Sequence, residues 1–148
     1  MLEILKLEFN QINIITRMMR DFYAVDNYPI DTGETHKLFE EFILDKQLGI
    51  SYLIYFDKEI IGYAILTFVF SFEYKGRIAF MDELYIAEFH RGKGIGSETI
   101  KFLKNQCYKL KLKLIYLEVE NHNLNAQKLY IAEGFKIHNR TIMKYIVK

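Results

Sequence analysis

An α/β domain built on a mixed sheet is what this chain of 148 residues predicts, and three observations predict it. Apolar segments rich in β-branched and aromatic residues run from Ser51 to Ile86 with only short polar breaks, the pattern of an antiparallel meander. A helical stripe from about Gly94 to Leu110 then leads directly into Leu114–Val119, and strand, crossover helix and strand of that length imply a parallel pair. Further amphipathic segments flank the meander, giving about four helices and about six or seven strands in all.

In chain order, residues 2 to 9 read as a first strand, and Ile12, Ile15, Met18, Met19, Phe22 and Tyr23 then recur at helical spacing. Pro29 breaks that helix, and a second one is expected from about Asp31 to Asp45, with Leu38, Phe39, Phe42 and Ile43 apolar. Strands follow at Ser51–Phe56 and Ile60–Phe72, joined through Asp57-Lys58-Glu59, a hairpin link without the usual glycine. The next strand, Gly76–Ile86, is largely apolar on both parities, so both of its faces should be covered. A last helix from about Leu124 to Glu133 ends at Gly134, and Phe135–Ile137 and Arg140–Val147 are expected to close the chain as strands.

The chain is 51% hydrophobic and carries a net charge of +1, which fits one domain, residues 1–148, with a substantial core. That balance gives no reason to expect nucleic-acid or membrane binding. The most apolar segment, Ile60 to Phe72, is too short to span a bilayer, and the amino terminus lacks a signal-peptide pattern, so a cytoplasmic location is expected. The single cysteine, Cys107, shares a helical stripe with Ile100 and Leu103 and reads as a structural thiol. His36, His90, His122 and His138 show no metal-ligand spacing, and no metal is expected.

The densest signal is Arg91-Gly92-Lys93-Gly94-Ile95-Gly96-Ser97, a glycine-alternating loop with two cations between a strand and a helix. Glycines let the backbone approach an anion closely, and a helix N-terminus offers N–H groups and a positive dipole end, so the loop suits a pyrophosphate. It is not a phosphate loop of the Walker type, because Gly94 and not serine or threonine follows Lys93. Nor is it a dinucleotide fingerprint: the sixth position is Ser97 counted from Gly92 and Thr99 counted from Gly94.

The pattern Arg91-x-x-Gly94-x-Gly96 resembles the acetyl-CoA-binding motif of the GNAT superfamily of N-acetyltransferases. Leu84-Tyr85-Ile86 upstream and Asn123-x-x-Ala126-x-x-Leu129-Tyr130-x-x-x-Gly134-Phe135 downstream are similar to that superfamily in order and spacing. The resemblance implies a single N-acetyltransferase domain with a splayed parallel strand pair. It further implies that acetyl-CoA is the cosubstrate and that its pantetheine arm lies along Leu84, Tyr85 and Ile86. Backbone N–H groups from Gly92 to Ser97, Ile95 included, would hold the pyrophosphate, with Arg91 and Lys93 at the rim. Asn123 would contact the arm, although that position equally suits a helix N-cap.

Direct transfer of acetyl to an amine requires a base, since an aliphatic amine of pKa about 10 is neutral in only about one molecule per thousand near neutral pH. Asp82 and Glu83 are the candidates, carboxylates in a strand that otherwise reads as buried, with Glu83 favoured by the resemblance. Neighbouring strand residues face opposite ways, so only one should reach a cleft unless a bulge changes the parity. Tyr130 is the expected acid for the leaving thiolate, seven residues after Asn123 on one helical face. A rival from another class is a non-catalytic acyl-CoA-binding sensor or interaction module.

The acceptor is expected to be a primary amine of a small molecule or peptide. Between Asp21 and Asp45 the acids Asp21, Asp26, Asp31, Glu34, Glu40, Glu41 and Asp45 face a single base, Lys37, which favours a cationic acceptor or simply a solvated helical face. The segment Gly76–Ser97 is also similar to that of diamine acetyltransferases. A homodimer is expected from family habit alone.

Overall fold

The structure, a computed structural model, describes all of residues 1–148, and the chain divides into two compact units, Met1–Glu118 and Val119–Lys148. In the first unit, β1 (Leu2–Lys6) is followed by α1 (Ile12–Ala24), α2 (Thr32–Leu44), β2 (Gly49–Phe56), β3 (Glu59–Ser71), β4 (Gly76–Ile86), α3 (Ile95–Lys109) and β5 (Ile115–Tyr116). Five strands form one sheet in sequence order, antiparallel throughout except for the parallel β4–β5 pair.

The β2–β3 hairpin turns on Asp57 and Lys58, at φ 49° and 71°. Both residues lie in the left-handed region that a two-residue type I′ loop demands, adopted here without glycine. At the start of α2, the Asp31 side chain accepts the Glu34 N–H over 2.8 Å, capping the helix just after the break at Pro29.

Alternation along the strands sorts the core onto two faces of the sheet. Leu53, Tyr63 and Ile65 point to one face and meet Ile12, Ile15, Met19 and Phe39 of α1 and α2. Ile54 and Ile61 point to the other and meet Ile95 of α3. Each such fully buried aliphatic side chain contributes about 1.5–3 kcal/mol over leaving it exposed. The helical stripe Ile12, Ile15 and Met19 is thus the face by which α1 docks. Cys107 is half-buried, and desolvation pushes its thiol up to about 11, in keeping with a structural role.

Several expectations about strands are corrected, the first being that β1 ends at Lys6 and not at residue 9. The last strand of the first unit is Ile115–Tyr116, not Leu114–Val119, because it pairs with β4 only at Ala79 and Phe80. In the second unit, α4 (Leu124–Ala132) ends before Gly134, at φ 95°, but neither Phe135–Ile137 nor Arg140–Val147 forms a strand. Ile137 and Tyr145 are 85% and 90% exposed. Apolar alternation makes a strand only where a sheet edge supplies hydrogen-bond partners, and no strand follows β5 in this sheet, which has five strands and not six or seven. No helix is long and apolar enough to cross a membrane.

Candidate active site

The loop between β4 and α3 opens with a short 3₁₀ turn at Glu88–His90 and continues through Gly92 and Gly94, at φ 74° and 80°. Gly94 is the N-cap of α3 in left-handed conformation, a geometry that costs a non-glycine residue about 1–2 kcal/mol. A Cβ at Gly92 or Gly94 would meet nothing within 4 Å, so the backbone is open to an approaching ligand. The first turn of a helix has no internal acceptors for its N–H groups, and α3, which runs for 15 residues, presents that turn from Ile95 through Gly96 to Ser97. These features fit a pyrophosphate.

Arg91 is less free than a cation at a rim. Its Nε donates to the Ile86 carbonyl over 2.7 Å, and its guanidinium stands 5.9 Å from the centre of the Tyr85 ring. This ties the loop to the end of β4, while Lys93 stays exposed.

Beyond Phe80, residues Met81 to Ile86 have no strand partner on the β5 side, so the parallel pairing ends there. That leaves a backbone edge at Leu84, Tyr85 and Ile86 which an extended ligand chain can pair with. The side chains of these residues are otherwise engaged. Tyr85 stacks on Phe22 at 5.4 Å, and Leu84 and Ile86 pack against the α3-side core. Opposite them on β3 is Gly62, which sequence reasoning passed over: a Cβ there would stand 2.1 Å from the Tyr85 carbonyl oxygen. Only its lack of neighbours at helical or turn spacing hides it in the sequence; the signal is a glycine inside a strand.

β4 carries a bulge at Asp82. Met81 pairs with Leu66 and Glu83 with Ile65, so Asp82 has no Cα partner. Both carboxylates consequently line one cavity of about 530 Å³, whose wall also includes Asp31 and Glu34 of α2, Tyr23 of α1, and the apolar Met19, Leu38, Phe39, Phe42 and Ile65. Its lining contains no lysine or arginine.

Glu83 accepts hydrogen bonds from Tyr63 over 2.7 Å and from Tyr23 over 2.8 Å. Burial raises its pKa above the ordinary glutamate value, the two phenols pull it down, and the Asp82 charge adds to the rise. Asp82 is raised by desolvation and then by the nearby Glu118 carboxylate. Burial and the Glu83 carboxylate raise both phenols, so Tyr23 and Tyr63 remain donors at neutral pH. Neither tyrosine stood out in the sequence as a partner of Glu83, since they lie 60 and 20 residues from it along the chain.

In the second unit, Asn123 is the N-cap of α4 and accepts the Ala126 N–H over 3.1 Å, the capping role its position suited. Tyr130 lies on the same helix, packs on Phe135 with ring centres 5.8 Å apart, and has its phenol pKa raised by burial. No three His, Cys, Asp or Glu side chains are grouped to hold a metal.

The chain belongs to the acetyltransferase (GNAT) family, whose model matches residues 15–135. It is 29% identical over 89 residues to the spermine/spermidine N(1)-acetyltransferase of Bacillus subtilis (strain 168), an overlap of 57% of this chain and 58% of that protein. The chain thus spans little more than half the length of that relative. Among solved structures, a possible acetyltransferase from Clostridium difficile 630 superposes with a TM-score of 0.89 at 19% identity, covering 99% of this chain and 98% of its own. A predicted acetyltransferase with acetyl-CoA from Clostridium acetobutylicum gives a TM-score of 0.81 at 19% identity, covering 98% and 96%. These two share the fold.

Proposed function

We propose that residues 1–148 act as one N-acetyltransferase domain that transfers acetyl from acetyl-CoA to a primary amine by direct attack in a ternary complex. The observation that carries this reading is Glu83, a desolvated carboxylate in a cavity walled by acids, directly before the unpaired edge at Leu84–Ile86 and a few residues before the glycine loop. When bound, acetyl-CoA supplies the acetyl thioester, whose C–S bond breaks as the C–N bond to the amine forms. Glu83, directly or through a water, takes the proton that the amine must shed, and burial brings its basicity closer to that task. Asp82, beside it, is the alternative base and adds negative charge that favours an incoming ammonium. In keeping with the family resemblance, Tyr130 donates the proton to the leaving thiolate, and its raised pKa keeps it protonated until then.

The acceptor in this reading is an aliphatic amine bearing further positive charge, of the di- or polyamine kind. Asp31, Glu34, Asp82 and Glu83 ring the cavity, while Leu38, Phe39 and Phe42 offer hydrocarbon wall between charged groups. The relative in Bacillus subtilis, a spermine/spermidine N(1)-acetyltransferase by name, supports the same class.

Two measurements test the proposal. Thermal unfolding with acetyl-CoA, CoA, ATP and NAD in parallel should show stabilisation by the first two alone, approaching about 2.7 kcal/mol at a hundredfold excess over Kd. Thiol release should then appear with polyamines, and Glu83→Gln and Tyr130→Phe should lose most turnover while cofactor affinity is nearly kept. Stabilisation by CoA with no turnover on polyamines, peptide amines or aminoglycosides would favour an acyl-CoA-binding module and overturn the catalytic assignment.

A further inference from the structure

Each oxygen of the Glu83 carboxylate receives a phenol. Tyr63 of β3 donates to Oε1 over 2.7 Å, and Tyr23 of α1 donates to Oε2 over 2.8 Å. The two donors differ in setting: Tyr63 is 0% exposed within the core under α1, whereas Tyr23 is at the edge of that core and lines the cavity. Their rings are fixed by neighbours. Phe22 meets Tyr23 edge-on at 6.0 Å, and Tyr85 packs on Tyr63 at 5.6 Å and on Phe22 at 5.4 Å.

We infer that Tyr23 and Tyr63 are positioning residues for the base: they hold both oxygens of Glu83 so that its remaining lone pairs serve the cavity, and they keep its ionised form available despite burial. A carboxylate has about four lone-pair sites, so two donors leave capacity for an acceptor's N–H. Burial favours the neutral acid, and hydrogen bonds made to the anion oppose it. The charged and titratable groups around Glu83 leave that task to the phenols. Asp82 on β4 opposes ionisation, Asp31 and Glu34 of α2 on the cavity wall are acids too, Tyr85 on β4 packs on Tyr63, and no lysine or arginine lines the cavity.

The use of this base in catalysis rests on the acetyltransferase reading, but the holding geometry does not, and the experiment separates them. With glutamate carboxyls labelled with carbon-13, the Glu83 resonance is assigned by its loss in Glu83→Gln and titrated in the wild type, Tyr23→Phe, Tyr63→Phe and Tyr52→Phe. The last is a control from a buried tyrosine whose hydroxyl has no hydrogen-bond partner. The midpoint should move to higher pH in the first two phenylalanine variants and stay in the control. Acetyl transfer to spermidine, followed over the same range, should fall about tenfold at the acid end, the scale of one charge-assisted hydrogen bond, and stay within about twofold of wild type at the alkaline end.

Unchanged midpoints in both variants overturn the inference, as does a moved midpoint with a pH–rate profile parallel to that of the wild type. If Tyr63→Phe fails to fold, Tyr23→Phe, altered at the cavity wall, decides alone. Midpoints that move in the two phenylalanine variants of a protein that releases no CoA uphold the holding geometry and sink the acetyltransferase reading.

Discussion

Asp82 and Glu83 are consecutive in β4, yet both line the same cavity, because the bulge at Asp82 lets the strand pass one residue without a partner between Met81 and Glu83. In a regular strand one of them would have pointed to the α3 side of the sheet. The bulge therefore concentrates negative charge at one place.

Replacing Glu83 by glutamine removes the base and keeps the side chain's size. Turnover near neutral pH should fall by about 10²–10³-fold, with the deficit shrinking as pH rises towards the amine's own pKa, where the acceptor deprotonates unaided. Asp82→Asn should cost far less in kcat and show mainly in KM. Steady-state kinetics across pH check both; equal losses in the two variants would contradict the assignment of the base to Glu83.

The raised pKa of Glu83 has a signature in stability. Its folded value lies above the ordinary 4.5, chiefly through burial, so between the two values the folded state holds the proton more tightly than the unfolded chain. The contribution is fully present below the unfolded value and is lost as pH rises through the folded one. Melting temperatures of wild type and Glu83→Gln, compared over that window, should converge or cross as the wild type alone declines. Parallel curves would mean that the carboxyl is not shifted.

Asp31 and Glu34 stand on α2 at the cavity wall, and Asp31 also caps that helix. Glu34→Gln should raise KM for spermidine several-fold and leave that for a simple monoamine within about twofold, since only the former has a second charge to place. Asp31→Asn keeps a capping side chain, so a similar selectivity without loss of melting temperature is expected. Equal effects on both amines would remove Asp31 and Glu34 from acceptor binding.

Two glycines should separate strain from collision. Gly94→Ala places a Cβ in open space at φ 80°, and should cost about 1–2 kcal/mol of stability while weakening CoA binding by more than about tenfold. Gly62→Ala drives a Cβ to 2.1 Å from the Tyr85 carbonyl oxygen, backbone that cannot swing away. Chemical denaturation should show a loss of at least about 3 kcal/mol, or no folded protein.

What the sequence determined by itself was local. Apolar periodicity located β2, β3, β4 and the four helices closely, and the end of β4 matched at Ile86, because each pattern is written within one element. The glycine loop was legible for the same reason: the residues that shape it are contiguous. The tertiary structure alone decided everything that depends on a partner. It shortened β5 to Ile115–Tyr116 and left Arg140–Val147 without a strand, because pairing requires an edge that no periodicity records. It settled which way Asp82 and Glu83 face, since a bulge is a property of two strands in register. And it brought Tyr23 and Tyr63, 60 and 20 residues from Glu83 along the chain, to its two oxygens, a meeting made by the docking of α1 on the sheet and by the pairing of β3 with β4.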